Sequence, residues 1–100
     1  MAYYFVVNYD VSDPEMHDRY VQLVRPTLGL YGGRPLIADY EPNDMEGKSR
    51  EILVVLEFAS RDAAMSWYNS PEYQAIIKLR TDAASEGWFR EAPQFVMPGS

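Results

Sequence analysis

The first side chain that could carry proton-transfer chemistry is the one histidine of the sequence, His17. It follows Asp13-Pro14 in a stretch with helical periodicity, at about 50° from the centre of the apolar face. A histidine there could act as a general acid or base in a cleft between the helix and a sheet, and the helix N-terminus would favour its neutral form. The alternative is a half-exposed histidine of the first turn that has no function. The pattern is compatible with both interpretations.

Arg34 and Glu57 form a second candidate, because they are predicted at facing positions of a β-hairpin. Arg34 begins one strand, Glu57 nearly ends the next, and the hairpin turns near residue 46, which places the two side chains almost opposite each other. They form a structural ion pair, or Arg34 anchors an anionic or carbonyl oxygen and Glu57 orients it. A register shift of one residue would separate them onto opposite faces.

Several tyrosines are predicted to project from helical faces toward the sheet: Tyr20, Tyr31, Tyr68 and Tyr73. A buried phenol hydroxyl needs a hydrogen-bond partner, and it can bind or protonate a substrate oxygen. Tyrosines are also ordinary core residues, so each of them fits either role. The candidate catalytic residues are therefore His17, Tyr20, Arg34, Glu57 and Tyr73.

Metal, phosphate and thiol chemistry are not expected. Asp13 and His17 have helical spacing for a metal pair, but no third ligand is near, and Asp10 and Asp13 suit turn and cap positions. Gly32-Gly33 lacks the preceding strand and the downstream glycine of a phosphate-binding loop, and it predicts the end of a helix. The absence of cysteine excludes disulfides and a cysteine nucleophile and favours a reducing, cytoplasmic location. We predict no cofactor.

Composition and charge narrow the range of partners. The chain of 100 residues has a formal charge of −6 and no run of lysine or arginine, which disfavours nucleic acid because that partner needs clustered positive charge. Residues 1–8 have no basic segment, and their apolar run ends at Asn8, so they predict a strand and neither a signal peptide nor a membrane span. The expected partners are a second copy of the chain and a small-molecule ligand.

The elements that position these side chains are predicted in the order β-α-β-β-α-β. Strands are predicted over residues 3–11, 34–41, 50–58 and 88–91, and helices over residues 14–31 and from residue 60 to about residue 79. Pro26 is expected to bend or break the first helix, and Ser70-Pro71 to divide the second helical region. We predict one α+β domain over residues 1–97, a ferredoxin-like sandwich with helices on one face of a four-stranded antiparallel sheet, and a frayed tail at residues 98–100.

The first and third predicted strands are apolar at both sets of alternate positions, as Val54 and Leu56 against Leu53 and Val55 show. An antiparallel strand with one wet face should alternate apolar with polar residues, and helices on one side cover only one face. A second copy that packs its sheet on the helix-free face accounts for the second apolar set, so we predict a homodimer. The alternative is a monomer whose strands are simply apolar.

The sequence carries Tyr-Gly-Gly-Arg at residues 31–34, Val-Val-Leu-Glu-Phe at residues 54–58 and, after Ala64, Trp-Tyr-Asn-Ser-Pro-Glu-Tyr at residues 67–73. These segments resemble a bacterial family, the domain-of-unknown-function family 1330, and the resemblance covers nearly the whole chain. It implies the dimeric α+β barrel superfamily, which includes cofactor-free monooxygenases, polyketide cyclases, isomerases and haem-degrading enzymes. The haem-degrading members carry an asparagine on the first strand and a histidine on the second helical region. This chain has Asn8 but no such histidine, so haem is not expected.

Two functions fit these observations. One is a cofactor-independent enzyme of cyclase, isomerase or monooxygenase type, in which His17 or a tyrosine carries a proton and Arg34 holds an oxygen of a small, partly apolar molecule. The other is a non-catalytic dimer that binds a ligand or acts as an accessory protein, favoured because no nucleophile-base motif is present. The enzyme hypothesis predicts a closed cavity of roughly a few hundred Å³ beside His17 and Arg34. A solid core there would favour the binding protein.

Overall fold

The computed structural model describes residues 1–99 and contains four strands and four helices. The elements are β1 (Tyr3–Val11), α1 (Pro14–Leu30), β2 (Arg34–Asp39), β3 (Ile52–Phe58), α2 (Arg61–Tyr68), α3 (Pro71–Gln74), α4 (Ile77–Ala83) and β4 (Ala84–Pro93). The strands form one antiparallel sheet in the order β2-β3-β1-β4. This is the predicted ferredoxin-like βαββαβ arrangement. Of the predicted tail, Ser100 lies outside the described residues.

The helix α1 begins where the sequence predicts, and it continues through its internal proline. The side chain of Asp13 accepts a hydrogen bond from a backbone N–H of the first turn at 3.2 Å, and Pro14 follows it. Pro26 removes one backbone hydrogen bond, yet no break occurs there. The next residue, Thr27, donates its hydroxyl to a carbonyl of the preceding turn at 2.6 Å and accepts the indole N–H of Trp67 at 3.0 Å. These two bonds hold the helix at its weakest turn.

The second helical region is divided twice. Ser70 accepts a hydrogen bond from the backbone N–H of Tyr73 at 3.1 Å, and α3 begins at Pro71, so the predicted interruption at Ser70-Pro71 is confirmed. A further break between α3 and α4 was not predicted. There the backbone N–H groups of Ile76 and Leu79 each donate to the carbonyl three residues back, which is the tighter turn of a 3₁₀ segment.

The strand β4 is longer than the sequence indicated, because it pairs with almost the whole of β1. The register runs from Tyr3 opposite Pro93 to Tyr9 opposite Gly87, and it shifts between Tyr9 and Val11. Gly87 has a φ of 148°, and a Cβ added there would lie 2.3 Å from a backbone oxygen of β1. Only glycine lets β4 approach β1 so closely at this point.

The hairpin strands β2 and β3 are shorter than predicted at the turn between them. Side chains of β1 bind the backbone of the returning segment instead. Asn8 accepts from the N–H of Arg50 at 3.0 Å, and Asp10 accepts from the N–H of Glu51 at 3.0 Å. These bonds satisfy backbone groups that a longer hairpin ladder would otherwise pair.

The core lies between the helices and one face of the sheet, and aromatic rings dominate it. Phe58, Trp67 and Tyr73 are fully buried. The ring centroid of Phe5 lies 5.7 Å from that of Phe58 and 6.0 Å from that of Trp67. Contacts of this kind contribute beyond the area that they bury, and they join the second helical region to β1 and β3.

The opposite face of the sheet has no helix over it and carries apolar side chains. Leu53 and Val55 of β3 point to this face, since they alternate with residues of the core, and both are half-buried. Ile37 is 46% exposed and Trp88 is 39% exposed. The strands are therefore apolar on both faces, as the sequence pattern indicated.

We predict that Gly33→Ala destabilises the fold by about 1–3 kcal/mol, because overpacking of a filled core costs this much. A Cβ at residue 33 would lie 2.4 Å from the ring of the buried Phe58. Gly29→Ala is the matched control, since a Cβ there meets nothing within 4 Å and alanine favours the helix by up to about 1 kcal/mol. Urea unfolding measures both changes, and equal stability of the two variants would contradict the prediction.

Candidate functional site

A pocket lies between α1 and the helix-covered face of the sheet. Its volume is about 80 Å³, several times the roughly 10–15 Å³ that one water needs. The polar side chains that line it are Tyr9, His17, Tyr20, Arg25, Tyr40 and Arg80. The pocket is smaller than the cavity of roughly a few hundred Å³ expected for an enzyme of this kind. It contains the predicted His17 and does not contain Arg34.

Tyr9 and His17 form a hydrogen-bonded pair in this pocket. The phenol oxygen of Tyr9 lies 2.5 Å from Nε2 of His17, and both residues are buried, at 5% and 6% exposure. Burial is the main cause that lowers the pKa of His17, and the charge of Arg80 lowers it further, while Asp18 acts in the opposite direction. Burial also raises the pKa of Tyr9. Both groups are therefore neutral at pH 7, and one of the two atoms, the phenol oxygen or Nε2, donates the proton of their hydrogen bond.

The turn between β1 and α1 sets the geometry of this pair. Tyr9 points to the core side of β1, as Val7 and Phe5 do two and four residues earlier. The backbone N–H groups of Ser12 and Asp13 both donate to the carbonyl of Ala83, at 2.7 and 3.3 Å. This fastens the start of α1 against the end of α4, and the first turn then presents His17 to the sheet.

Arg80 is a half-buried cation with no carboxylate partner among residues 1–99. Its Nε donates to the hydroxyl of Tyr73 at 3.2 Å, and its guanidinium carbon lies 5.0 Å from the ring centroid of Phe89. The hydroxyl of Tyr73 lies 3.0 Å from that of Tyr20. Tyr20 lines the pocket, and Tyr73 lies behind it and supports both neighbours. The predicted candidates Tyr20 and Tyr73 are thus brought together around Arg80.

Arg34 and Glu57 face each other in the sheet register and form an ion pair at 2.8 Å, so the prediction that they share a face is confirmed. The hydroxyl of Tyr4 donates to Glu57 at 3.2 Å. Glu57 alternates with Leu56 and Phe58, which pack under the helices, so this group lies on the helix-free face. The structure therefore does not bring Arg34 or Glu57 together with His17.

The other tyrosines that the sequence singled out lie outside the pocket. The hydroxyl of Tyr31 donates to Glu72 at 2.8 Å, which joins the end of α1 to α3. The ring of Tyr68 packs against Phe5 and Phe89, with centroids 6.0 and 5.5 Å apart.

Within residues 1–99, no group of three or more His, Asp or Glu side chains is arranged to hold a metal ion. No helix in the same range is long and apolar enough to cross a membrane.

Among the polar residues of the pocket that sequence reasoning missed, Tyr9 and Arg80 leave a signal in the sequence. Arg80 lies four positions after Ile76 and seven after Tyr73, so it belongs to the apolar stripe of the second helical region. A charged residue on such a stripe is a candidate for function. Tyr9 has the same parity as the other core residues of β1, which predicts that it faces the helices.

We predict that the wild-type protein loses stability as the pH falls below about 6.5, the ordinary pKa of histidine. Burial lowers the pKa of His17 in the folded state, so the unfolded chain binds the proton first and acid favours unfolding. The slope is at most about 1.4 kcal/mol per pH unit for one proton. His17→Gln keeps an acceptor for Tyr9 and removes the only histidine. Parallel stability profiles of the two proteins between pH 7 and pH 5.5, by urea unfolding, would contradict this.

Comparisons with known proteins place the fold. No curated protein sequence matches the chain. A protein of unknown function from Rhodopseudomonas palustris superposes with a TM-score of 0.77 at 14% identity, covering 96% of this chain and 84% of that one. A dimeric protein of unknown function with a ferredoxin-like fold from Bacteroides fragilis has a TM-score of 0.57 at 15% identity, with 91% and 94% covered. SnoaB, a cofactor-independent oxygenase from Streptomyces nogalater, has a TM-score of 0.66 at 12% identity, with 99% and 98% covered.

At these identities the structural likeness establishes the fold alone. The family follows from the sequence: residues 2–89 match the family described as Domain of unknown function (DUF1330). This match spans most of the chain and includes the segments that carry His17, Tyr9 and Arg80. The chain belongs to the DUF1330 family.

Proposed function

We propose that the protein binds a small, partly apolar molecule that carries a carbonyl or acidic oxygen, and that it catalyses a proton transfer on this molecule without a cofactor. The observation that carries the proposal is Arg80, a half-buried guanidinium without a carboxylate partner in the described chain, which lines the same pocket as the Tyr9–His17 pair. An uncompensated buried charge is costly. A ligand oxygen would offset that cost with a charge-assisted hydrogen bond.

The Tyr9–His17 pair supplies a base that is neutral at pH 7. When a ligand proton passes to the oxygen of Tyr9, the hydroxyl proton of Tyr9 passes to Nε2 of His17, and the pair gains one proton in total. The ligand then carries a negative charge on its oxygen, and Arg80 stabilises that charge. The reverse relay returns a proton to another atom of the ligand. The net reaction is an isomerisation by proton shift, which consumes no second reactant.

The lining of the pocket indicates the kind of ligand. Apart from the polar groups, the pocket is bounded by aliphatic side chains, among them Val7, Val24, Leu28 and Leu56. Such walls bind an aromatic ring or a short branched chain. SnoaB is described as a cofactor-independent oxygenase, so cofactor-free chemistry occurs on this fold in at least one protein, although a shared fold is only an analogy.

The second candidate is a non-catalytic binding protein, and the small volume of the pocket favours it. A pocket of about 80 Å³ leaves little room for a substrate to change shape, whereas a rigid ligand the size of one ring needs no larger volume. In this alternative Arg80 anchors the ligand, and the Tyr9–His17 pair only donates or accepts a hydrogen bond. Binding is common to both candidates, and turnover distinguishes them.

We also propose that the protein is a homodimer through the helix-free face of the sheet. Leu53, Val55 and Ile37 give this face an apolar surface that a single chain leaves open, and burial of such a surface is favourable. The similar Bacteroides fragilis protein is described as dimeric. The Arg34–Glu57 pair would lie in this interface as a structural contact.

We predict that Arg80→Gln weakens the binding of benzoate at least about tenfold, because a hydrogen bond between charged groups contributes roughly 1.5–3 kcal/mol. Arg19→Gln is the control, since Arg19 is exposed on α1 and does not line the pocket. Titration followed by NMR measures both affinities. Activity is assayed as the conversion of the enol form of phenylpyruvate to the keto form. If the protein is an enzyme, the wild type accelerates this conversion and the His17→Gln variant does not.

These measurements separate the two candidate functions. Binding with a rate above the buffer rate supports the enzyme, and binding with no acceleration supports the non-catalytic protein. If Arg80→Gln and Arg19→Gln bind benzoate equally well, Arg80 is not the anchor and both candidates fail.

We predict that Val55→Asp yields monomeric or unfolded protein, because a buried, unpaired carboxylate costs several kcal/mol. The control is Leu23→Asp, at a side chain on α1 that is 46% exposed and lies away from the proposed interface. Sedimentation velocity at micromolar concentration should give twice the chain mass for the wild type and for this control. A wild type that sediments as a monomer would overturn the dimer.

A further inference from the structure

A second, larger cavity adjoins the pocket, and the two share a wall. This outer cavity is lined by the end of α4, the first half of β4 and Tyr9, and it has a volume of about 350 Å³. Tyr9, Arg80 and Phe89 line both the inner pocket and the outer cavity. Arg80, which has no carboxylate partner among residues 1–99, therefore borders both spaces.

The two cavities differ in chemistry. The inner pocket is mostly aliphatic, whereas the outer cavity contains Thr81, Ser85 and Glu86. Glu86 already pairs with Arg50 at 3.0 Å. The hydroxyls of Thr81 and Ser85 make no hydrogen bond to other protein groups within residues 1–99. Apart from Arg80, the polar groups of the outer cavity that are free to bind a ligand thus include the uncharged hydroxyls of Thr81 and Ser85.

The sheet is irregular at the floor of the outer cavity. Register between β1 and β4 shifts after Tyr9, and Ala84 and Gly87, on either side of that shift, line the cavity. Bulges of this kind redirect a strand and are frequent beside binding sites.

We propose that the site has two chambers and that its ligand spans both: an apolar ring in the inner pocket, a carbonyl or acidic oxygen at Arg80, and an uncharged hydroxyl-bearing substituent in the outer cavity. This inference rests on the proposed function, because it assumes that a ligand oxygen binds Arg80. Thr81 and Ser85 then determine specificity for the substituent. Phe89, whose ring packs on the guanidinium, separates the chambers.

The test compares benzamide, which fills only the inner pocket, with N-(2-hydroxyethyl)benzamide, which adds a hydroxyl beyond the carbonyl. The wild-type protein should bind the extended probe roughly fivefold tighter, the gain expected from one neutral hydrogen bond. Thr81→Trp fills the outer cavity and should remove this gain while it leaves the affinity for benzamide unchanged. Lys78→Trp is the control, because Lys78 lies on the same helix, has an 83% exposed side chain and does not line either cavity.

Each outcome has a separate meaning. If both probes bind with equal affinity, or if Thr81→Trp and Lys78→Trp alter the ratio of affinities alike, the two-chamber site is wrong and the inner site stands. If neither benzamide nor benzoate binds the wild type, the inner site fails and the two-chamber site fails with it. If only Thr81→Trp loses the preference for N-(2-hydroxyethyl)benzamide over benzamide, and this variant still binds benzamide, the outer chamber is established.

Discussion

The hydroxyl of Tyr73 is the group on which the site depends. Tyr73 is fully buried, and its ring centroid lies 4.0 Å from that of Trp67. A buried hydroxyl without partners costs about 1–3 kcal/mol. Its partners are the hydroxyl of Tyr20 at 3.0 Å and Nε of Arg80 at 3.2 Å. These residues belong to α3, α1 and α4. One hydroxyl thus joins three helices, and its hydrogen bond to Arg80 fixes the position of the guanidinium.

The charged groups of the protein are arranged differently on the surface and in the pocket. Arg34 and Glu57 pair on the helix-free face, and Arg61 and Glu91 pair at 2.9 Å with both side chains substantially exposed. Such pairs contribute about 0–1 kcal/mol each. Arg80 is less exposed than these arginines. Its guanidinium donates to the phenol oxygen of Tyr73 and packs on the ring of Phe89. A half-buried guanidinium without a carboxylate partner is costly, which is why we propose that Arg80 binds a ligand.

Local signals predicted most of the fold. The Asp13 and Ser70 caps and the Gly32 helix stop each depend on a few neighbouring residues, and all are present. The facing positions of Arg34 and Glu57 followed from hairpin geometry in the same way. What was missed depends on contacts distant in sequence. Pairing with β1 extends β4, and the Tyr9–His17 bond requires α1 to cross β1 at one particular height, which no pattern along either element specifies.

The overall charge of the chain further restricts the kinds of ligand that the pocket is expected to bind. A chain with a formal charge of −6 repels anions over the range of about 8–10 Å in which charges act through physiological salt. Arg25 and Arg80 are the arginines that line the pocket, and Arg80 is the less exposed of the two, so its guanidinium acts at close range with less water. A molecule that is neutral in solution therefore enters without repulsion. In the proposed reaction it experiences the field of Arg80 fully only when its proton passes to the Tyr9–His17 pair and negative charge develops on its oxygen. The two charge distributions together make a weak carbon or oxygen acid a better ligand than a preformed anion such as benzoate, whose contact with Arg80 must also overcome the repulsion of the chain.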